Sequence, residues 1–336
     1  MPHLEMRSLS IKRFMVFTIL GVLTLAFTTA TPTVVKAEYP ERPITLMVGF
    51  SAGGGTDVYA RSFASFVHEY LDMPMVVVNK PGASGMIAAK AVYDAPADGY
   101  TLLLAGGGSL FIKSTIDGDK APVVPTRELT ALGGVGQLVP SLIVPIDSPF
   151  KTAKDLVDWA KANPDKRLRY SHSGRGSIHT LAGMLFLKQN GIDGQDVPFK
   201  GGSKARNAVA GKQVDFAAIG IQLLAGFESK LHALGVMSNK RDLIYKDVPT
   251  FGEQGLPSLG ITNPEIIWGH RDLPKDVVAK LEEAIKSVAS SKGFQKMIKK
   301  TGVTGFYFTP EEANEKMAVI DKLTTPLTIE LFRKKK

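Results

Sequence analysis

Two glycine-rich stretches carry the residue types best suited to holding an anion. In "FSAGGGTDVYA", residues 50–60, Gly53, Gly54 and Gly55 let backbone N–H groups approach a ligand closely. The helix predicted to begin at Asp57 adds the partial positive charge of its N-terminus. A carboxylate and a phosphate suit this arrangement equally. The plainer alternative is that Thr56 or Asp57 caps the helix while the glycines make a turn, and the motif alone leaves both open. "LRYSHSGRGSIHTLAGMLF", residues 168–186, repeats the design of strand, loop and helix start. Here Ser177 serves as a cap or bonds a ligand oxygen, and Arg175 pairs with a carboxylate or lies in solvent. Two such helix starts in different lobes would clamp one small anion from both sides.

Other chemistries find less support. A nucleotide-binding P-loop requires Gly-Lys-Ser/Thr after its glycines, whereas Gly55 is followed by Thr56-Asp57, and the acid would repel a triphosphate. Gly174-Arg175-Gly176 imitates the opening of a dinucleotide fingerprint, but His179 stands where its third glycine belongs. No Gly-x-Ser-x-Gly occurs, since Ser84 follows Gly82 by two residues and Met86 takes the final glycine position. The six histidines show no HExxH, and there is no cysteine, which removes disulfides, thiol catalysis and thiolate metal sites together. The chain is therefore expected to be a binding protein and not an enzyme, with no metal and no cofactor; the alternatives are an exported hydrolase or lyase acting on a small organic acid, or a ligand sensor feeding a membrane sensor kinase.

The first 37 residues resemble an export signal: Arg7, Lys12 and Arg13 precede an apolar run from Phe14 to Phe27, and Val35-Lys36-Ala37 suits cleavage before Glu38. The run falls short of the roughly 20 residues that span a bilayer, although an uncleaved anchor is the alternative. Export without cysteine points to the periplasm. Of the formal charge of +9, the leader holds +3, and part of the rest lies in the terminal Arg333-Lys334-Lys335-Lys336. A mild positive field of this kind favours small anions over nucleic acid.

The elements that must position the loops alternate in type. Strands are predicted at 44–50, 75–78, 101–105, 141–144, 168–171, 216–219 and 233–237, with helices at 57–71, 84–93, 152–162, 177–189 and 203–210. The first helix places Tyr59, Phe63, Phe66, Val67 and Tyr70 on one face. This is an α/β pattern with mostly parallel sheets. The C-terminal fifth is mostly helical: Pro274 opens one helix, and Thr309-Pro310-Glu311-Glu312 caps another. Gly/Pro-rich segments near residues 140 and 265 have the punctuation of crossings between domains. They divide the chain into a lobe of 38–140 plus 263–336 and a second lobe of 141–262, with a cleft between.

In their order, these residues resemble the substrate-binding proteins of tripartite tricarboxylate transporters, the Bug family. The matching motifs are "YPERPI" at 39–44, "AGGGTD" at 52–57, "VVNKPGASG" at 77–85, "ADGYTLLLA" at 97–105, "GSIHTLAGMLF" at 176–186, "VPFKGGSKARNAVAGKQVDF" at 197–216 and "DVPTFGEQGLP" at 247–257. The resemblance implies a two-lobed, type II-like periplasmic-binding-protein fold that closes on a small mono-, di- or tricarboxylate. It implies a monomer that hands its ligand to membrane permease subunits. Ligand contacts are implied for Phe50, Ser51, Ala52 and the loop through Asp57, for Ser173, Gly174, Arg175, Gly176, Ser177 and His179, and for Ser109, Gly201 and Asp215. The chain departs from the family at "GGGSLF", 106–111, at Arg175, at Thr180-Leu181-Ala182-Gly183 and after Asp215. These departures touch the part of the cleft that reads the ligand's far end.

Overall fold

The apolar runs pair into two separate sheets in the computed structural model, which describes residues 38–333. The leader expected over residues 1–37 lies outside the described residues. The first sheet has the order β11-β4-β10-β3-β1-β2. Its strands are β1 (Ile44–Val48), β2 (Met75–Asn79), β3 (Thr101–Gly106), β4 (Leu129–Leu138), β10 (Asn263–His270) and β11 (Gly305–Phe308). The second has the order β7-β6-β8-β5-β9, built from β5 (Pro140–Pro145), β6 (Leu168–His172), β7 (Gly194–Pro198), β8 (Phe216–Gly220) and β9 (Leu231–Val236).

Both sheets are mixed, where the sequence pattern predicts mostly parallel ones. Strand β1 runs parallel to β2 and β3, but β10 is antiparallel to both β3 and β4. In the second sheet β6 is parallel to β7 and β8, whereas β5 runs antiparallel to β8 and β9. The physical reason is the connectivity. The chain leaves the first sheet at the end of β4, passes through Val139 into β5, and returns along β10, so each crossing strand enters its sheet against the βαβ units.

Helix α1 (Gly55–Leu71) follows β1, and it buries Tyr59, Phe63, Val67 and Leu71. Tyr70, expected on that face, is 39 % exposed because Leu71 continues the buried stripe one position later. Helices α2 (Met86–Tyr93) and α3 (Gly107–Asp117) follow β2 and β3. In the second lobe α4 (Ala153–Ala162), α5 (Ile178–Gln189) and α6 (Gly202–Ala210) cover the sheet. Leu156, Tyr170, Phe186 and Phe216 lie in one core cluster there, while Ile143, Val209 and Ile219 lie in another.

Helices α7 (Lys275–Ser290), α8 (Lys292–Lys299) and α9 (Pro310–Thr328) return to the first sheet. The expected start of α9 is a full capping box: Thr309 accepts from the N–H of Glu312, whose carboxylate accepts from the N–H of Thr309. Beyond it a π-helical turn, Ile329–Arg333, packs Leu331 and Phe332 against a cluster of Ile112 with Ile178, Leu181, Leu185 and Ile261, which draws on both lobes. Among the described residues no helix is long and apolar enough to cross a membrane.

Candidate functional site

The C-terminal ends of β1, β3, β6 and β8 face one another across the cleft, the place where open α/β sheets bind ligands. Each of the first three leads into a helix, and α6 begins beside them. The residues capping α1, α3 and α6 are Gly54, Gly106 and Gly201, and none of these helices has a side-chain cap. Their first-turn N–H groups therefore have no side-chain acceptor, which leaves partial positive charge at three helix starts drawn from both lobes. At α1 the plain-cap alternative does not hold.

Asp57 instead braces the loop. Its carboxylate accepts from the N–H of Gly53 at 2.8 Å, from Arg61 Nε at 3.0 Å and from Asn79 Nδ2 at 2.8 Å. At α5 the cap alternative does hold, since Ser177 Oγ accepts from the N–H of Thr180.

Between these helix starts lies a cavity of about 20 Å³, lined by Phe50, Gly54, Gly55, Thr56, Ser109, Ser173 and His179 from the expected set. Gly202, Gln222 and Asn263 complete its polar wall. An outer chamber of about 280 Å³ shares Phe50 and Ser173 with it and adds Ser84, Gly174, Arg175 and Lys200. A further cavity of about 370 Å³, among Gln137, Lys240, Thr262 and Thr304, shares Gln222 with the inner one. None of the glycine-rich loops lines that larger space, so the smaller one is the candidate site.

The remaining expected residues are placed differently. Ala52 and Gly53 are exposed at the loop tip and act as fasteners, the Ala52 carbonyl accepting from Ser203 Oγ at 3.0 Å. Ser51 donates through both N–H and Oγ to the Lys200 carbonyl, at 3.1 and 2.6 Å. Gly201 is needed for that approach, because a Cβ there would stand 2.6 Å from Ser51 Oγ. Gly176 has φ +91° and backs onto Lys113 and Ile116. Arg175 does make a bidentate pair, but with Asp196, at 3.0 and 3.2 Å. His172 joins the same carboxylate at 3.3 Å, and these bonds hold Asp196 down at about 2 against its partial burial. Asp215 is a correction. It is exposed and bonds the N–H of Arg169 at 2.7 Å, at the N-terminal end of β8 and so away from the cleft.

The lobes are closed on each other. Ser84 Oγ donates to the Arg175 carbonyl at 3.0 Å, and the N–H of Ile178 donates to Ser109 Oγ at 3.2 Å. In this state the inner cavity has room for a water molecule and for no organic acid, so entry requires the lobes to part.

Three residues of the site carry no motif. Gln222 lies against Gly55 and Gly220, where a Cβ would come within 2.3 Å of its amide. Asn263 fills the space over Gly106 and Gly108, with a Cβ on Gly106 only 1.8 Å from its Nδ2. The glycine run at 106–108 thus exists to admit a side chain more than 150 residues away. Beneath it Glu265 is fully buried and accepts from Asn263 Nδ2 at 3.3 Å; burial pushes its carboxyl up to about 8, against a hydrogen bond from Thr56. At neutral pH Glu265 is mostly protonated, and no cationic side chain lines the inner cavity.

A two-lobed α/β molecule with uncapped helix starts converging on an interlobe cavity is a solute-binding receptor. The chain belongs to the tripartite tricarboxylate transporter family receptors (TctC), whose family model matches residues 59–324. It is 29 % identical to the UPF0065 protein in the gbd 5' region of Cupriavidus necator, over 85 % of this chain and 89 % of that one. Among solved structures it is similar to the periplasmic binding protein BugD, with 30 % identity, a TM-score of 0.77 and coverage of 88 % and 98 %. It is also similar to MatC of Rhodopseudomonas palustris with bound malate, with 25 % identity, a TM-score of 0.75 and coverage of 88 % and 99 %. The family is one of receptors, and BugD is a periplasmic binding protein.

Proposed function

We propose that the protein is a periplasmic receptor that captures a small carboxylate-bearing organic anion and delivers it to the membrane subunits of a tripartite tricarboxylate-type transporter. The observation that carries this reading is the convergence of the uncapped starts of α1, α3 and α6 on one interlobe cavity. Fixed backbone dipoles there suit a carboxylate without a paired cation. The malate bound to MatC supports the same ligand class.

Residues 38–140 with 263–336 form the lobe that supplies α1 and α3, and 141–262 the lobe that supplies α5 and α6. The passage through Val139 and the return at β10 act as the hinge between them. The chain works as a monomer, and the leader at 1–37 is removed on export, so N-terminal sequencing of the exported protein reads from Glu38.

A thermal-shift screen of the mature protein against mono-, di- and tricarboxylates tests the ligand class. A ligand at 100 times its dissociation constant adds about 2.7 kcal/mol to stability. Shifts with sugars or metal ions and with no carboxylate would overturn the reading. Delivery is tested in proteoliposomes holding the permease subunits, where uptake must depend on added receptor.

A further inference from the structure

Three residues that line the inner cavity each carry a buried acceptor that no protein donor reaches: His179 Nε2, Gln222 Oε1 and Asn263 Oδ1. Their side chains belong to residues only 6, 5 and 2 % exposed. The protonation of His179 follows from its neighbours. Asp196 accepts from His172 Nε2, and His172 Nδ1 accepts from the N–H of Gly174 at 3.2 Å. Thr180 Oγ1 therefore finds two acceptors for its single proton, His172 Nδ1 and the Gly174 carbonyl. Ser177 must donate to Thr180, Ser173 to Ser177, and His179 Nδ1–H to Ser173. His179 Nε2 is left as a bare lone pair. Burial, helped by the nearby His172, holds that imidazole down at about 4, so it does not become a donor at neutral pH. Asn263 is oriented by its Nδ2 bond to Glu265, which leaves Oδ1 as its free acceptor.

Buried acceptors without donors are costly, and three on the residues around one cavity of about 20 Å³ call for a bound donor. We infer that the ligand is a small hydroxycarboxylate, its carboxylate on the helix starts and at least one hydroxyl donating to the cluster of His179, Gln222 and Asn263. An ammonium group is the competing donor. It would bring positive charge to a cavity already surrounded by helix N-termini, with no ionised acid on its wall to meet it. The Asp57 carboxylate is engaged by Arg61, Asn79 and Gly53.

This inference rests on the receptor reading, and matched ligand sets separate the two. Calorimetry of the mature protein compares lactate with propionate and alanine, and malate with succinate and aspartate. The hydroxy member of at least one set should bind about tenfold tighter or more than both analogues. In Gln222→Met and His179→Leu that preference for the hydroxy acid should shrink. Hydroxy and deoxy acids within twofold, an amino acid as the tightest ligand, or a complex showing water and no ligand hydroxyl on these acceptors would each overturn it. The unmodified protein decides the matter even where a variant fails to fold. Binding by no acid of the panel would instead remove the receptor reading, and this inference with it.

Discussion

Beneath the cavity floor, Glu265 keeps a proton that an exposed glutamate would lose, because it has no exposed surface and its Oε2 has no partner. Its carboxyl titrates at about 8 in the folded protein against an ordinary 4.5. Between those values the folded chain binds a proton that the unfolded chain has released, so the stability contributed here falls as pH rises through that window and levels off above it. His179 sets an opposite slope. The unfolded imidazole protonates below 6.5 and the folded one only near 4, so stability is lost as pH falls between them. In Glu265→Gln the upper slope should disappear. Its melting temperature should exceed the parent's at pH 8 by an amount worth a few kcal/mol, at about 1.4 kcal/mol per pH unit, and converge with it near pH 5. Parallel melting curves from pH 5 to 9 would mean that Glu265 ionises normally.

Among the elements, the proposed binding falls to helix starts, and glycines let them approach. Gly201 precedes α6 with φ +146°, and a Cβ there would stand 2.6 Å from Ser51 Oγ and 2.9 Å from Ser51 N. Gly201→Ala should therefore hold α6 away from the 51–57 loop. Strain of about 1–3 kcal/mol predicts ligand affinity roughly ten- to hundredfold weaker by calorimetry. An unchanged dissociation constant would show that this approach is not part of binding. The loops themselves were legible in the sequence, because a glycine cluster between an apolar run and a helical period has few other uses. Strand β4 was not. Its Gly133, Gly134 and Gly136 look like punctuation, yet they sit in a bulged strand where the Phe308 ring takes the place of a Cβ on Gly134. Helix α3 was hidden by Gly106, Gly107 and Gly108, whose low helix propensity is overridden by the room that Asn263 and Met317 need. Gln222 and Asn263 escaped notice for the same reason: their partners are distant in the chain, and an isolated amide carries no periodic signal.

For the whole molecule, binding is a matter of how readily the lobes part. The cleft-side contacts are backbone and hydroxyl bonds and an apolar cluster of Ile112 from α3 with Ile178, Leu181 and Leu185 from α5, to which the segment after α9 adds. After α9, Leu331 and Phe332 pack against the cluster of Ile112, Ile178, Leu181, Leu185 and Ile261, while Glu330 pairs with Lys188 at the surface. The ion pair is nearly half exposed on both sides and contributes little. The apolar packing therefore dominates, and it joins a segment of the first lobe to a helix of the second. Ending the chain after Thr328 should leave both sheet cores intact and ease opening. Stopped-flow measurements should then show ligand dissociation several-fold faster with association nearly unchanged, as interface changes mostly act on release. Replacing Lys188 with Ala should have a much smaller effect. If truncation left the dissociation rate unaltered, the contact would be a passive docking of the terminus, and closure would depend on the packing of Ile112 with α5 and on the hydrogen bonds of Ser51, Ser84, Ser109 and Ser203.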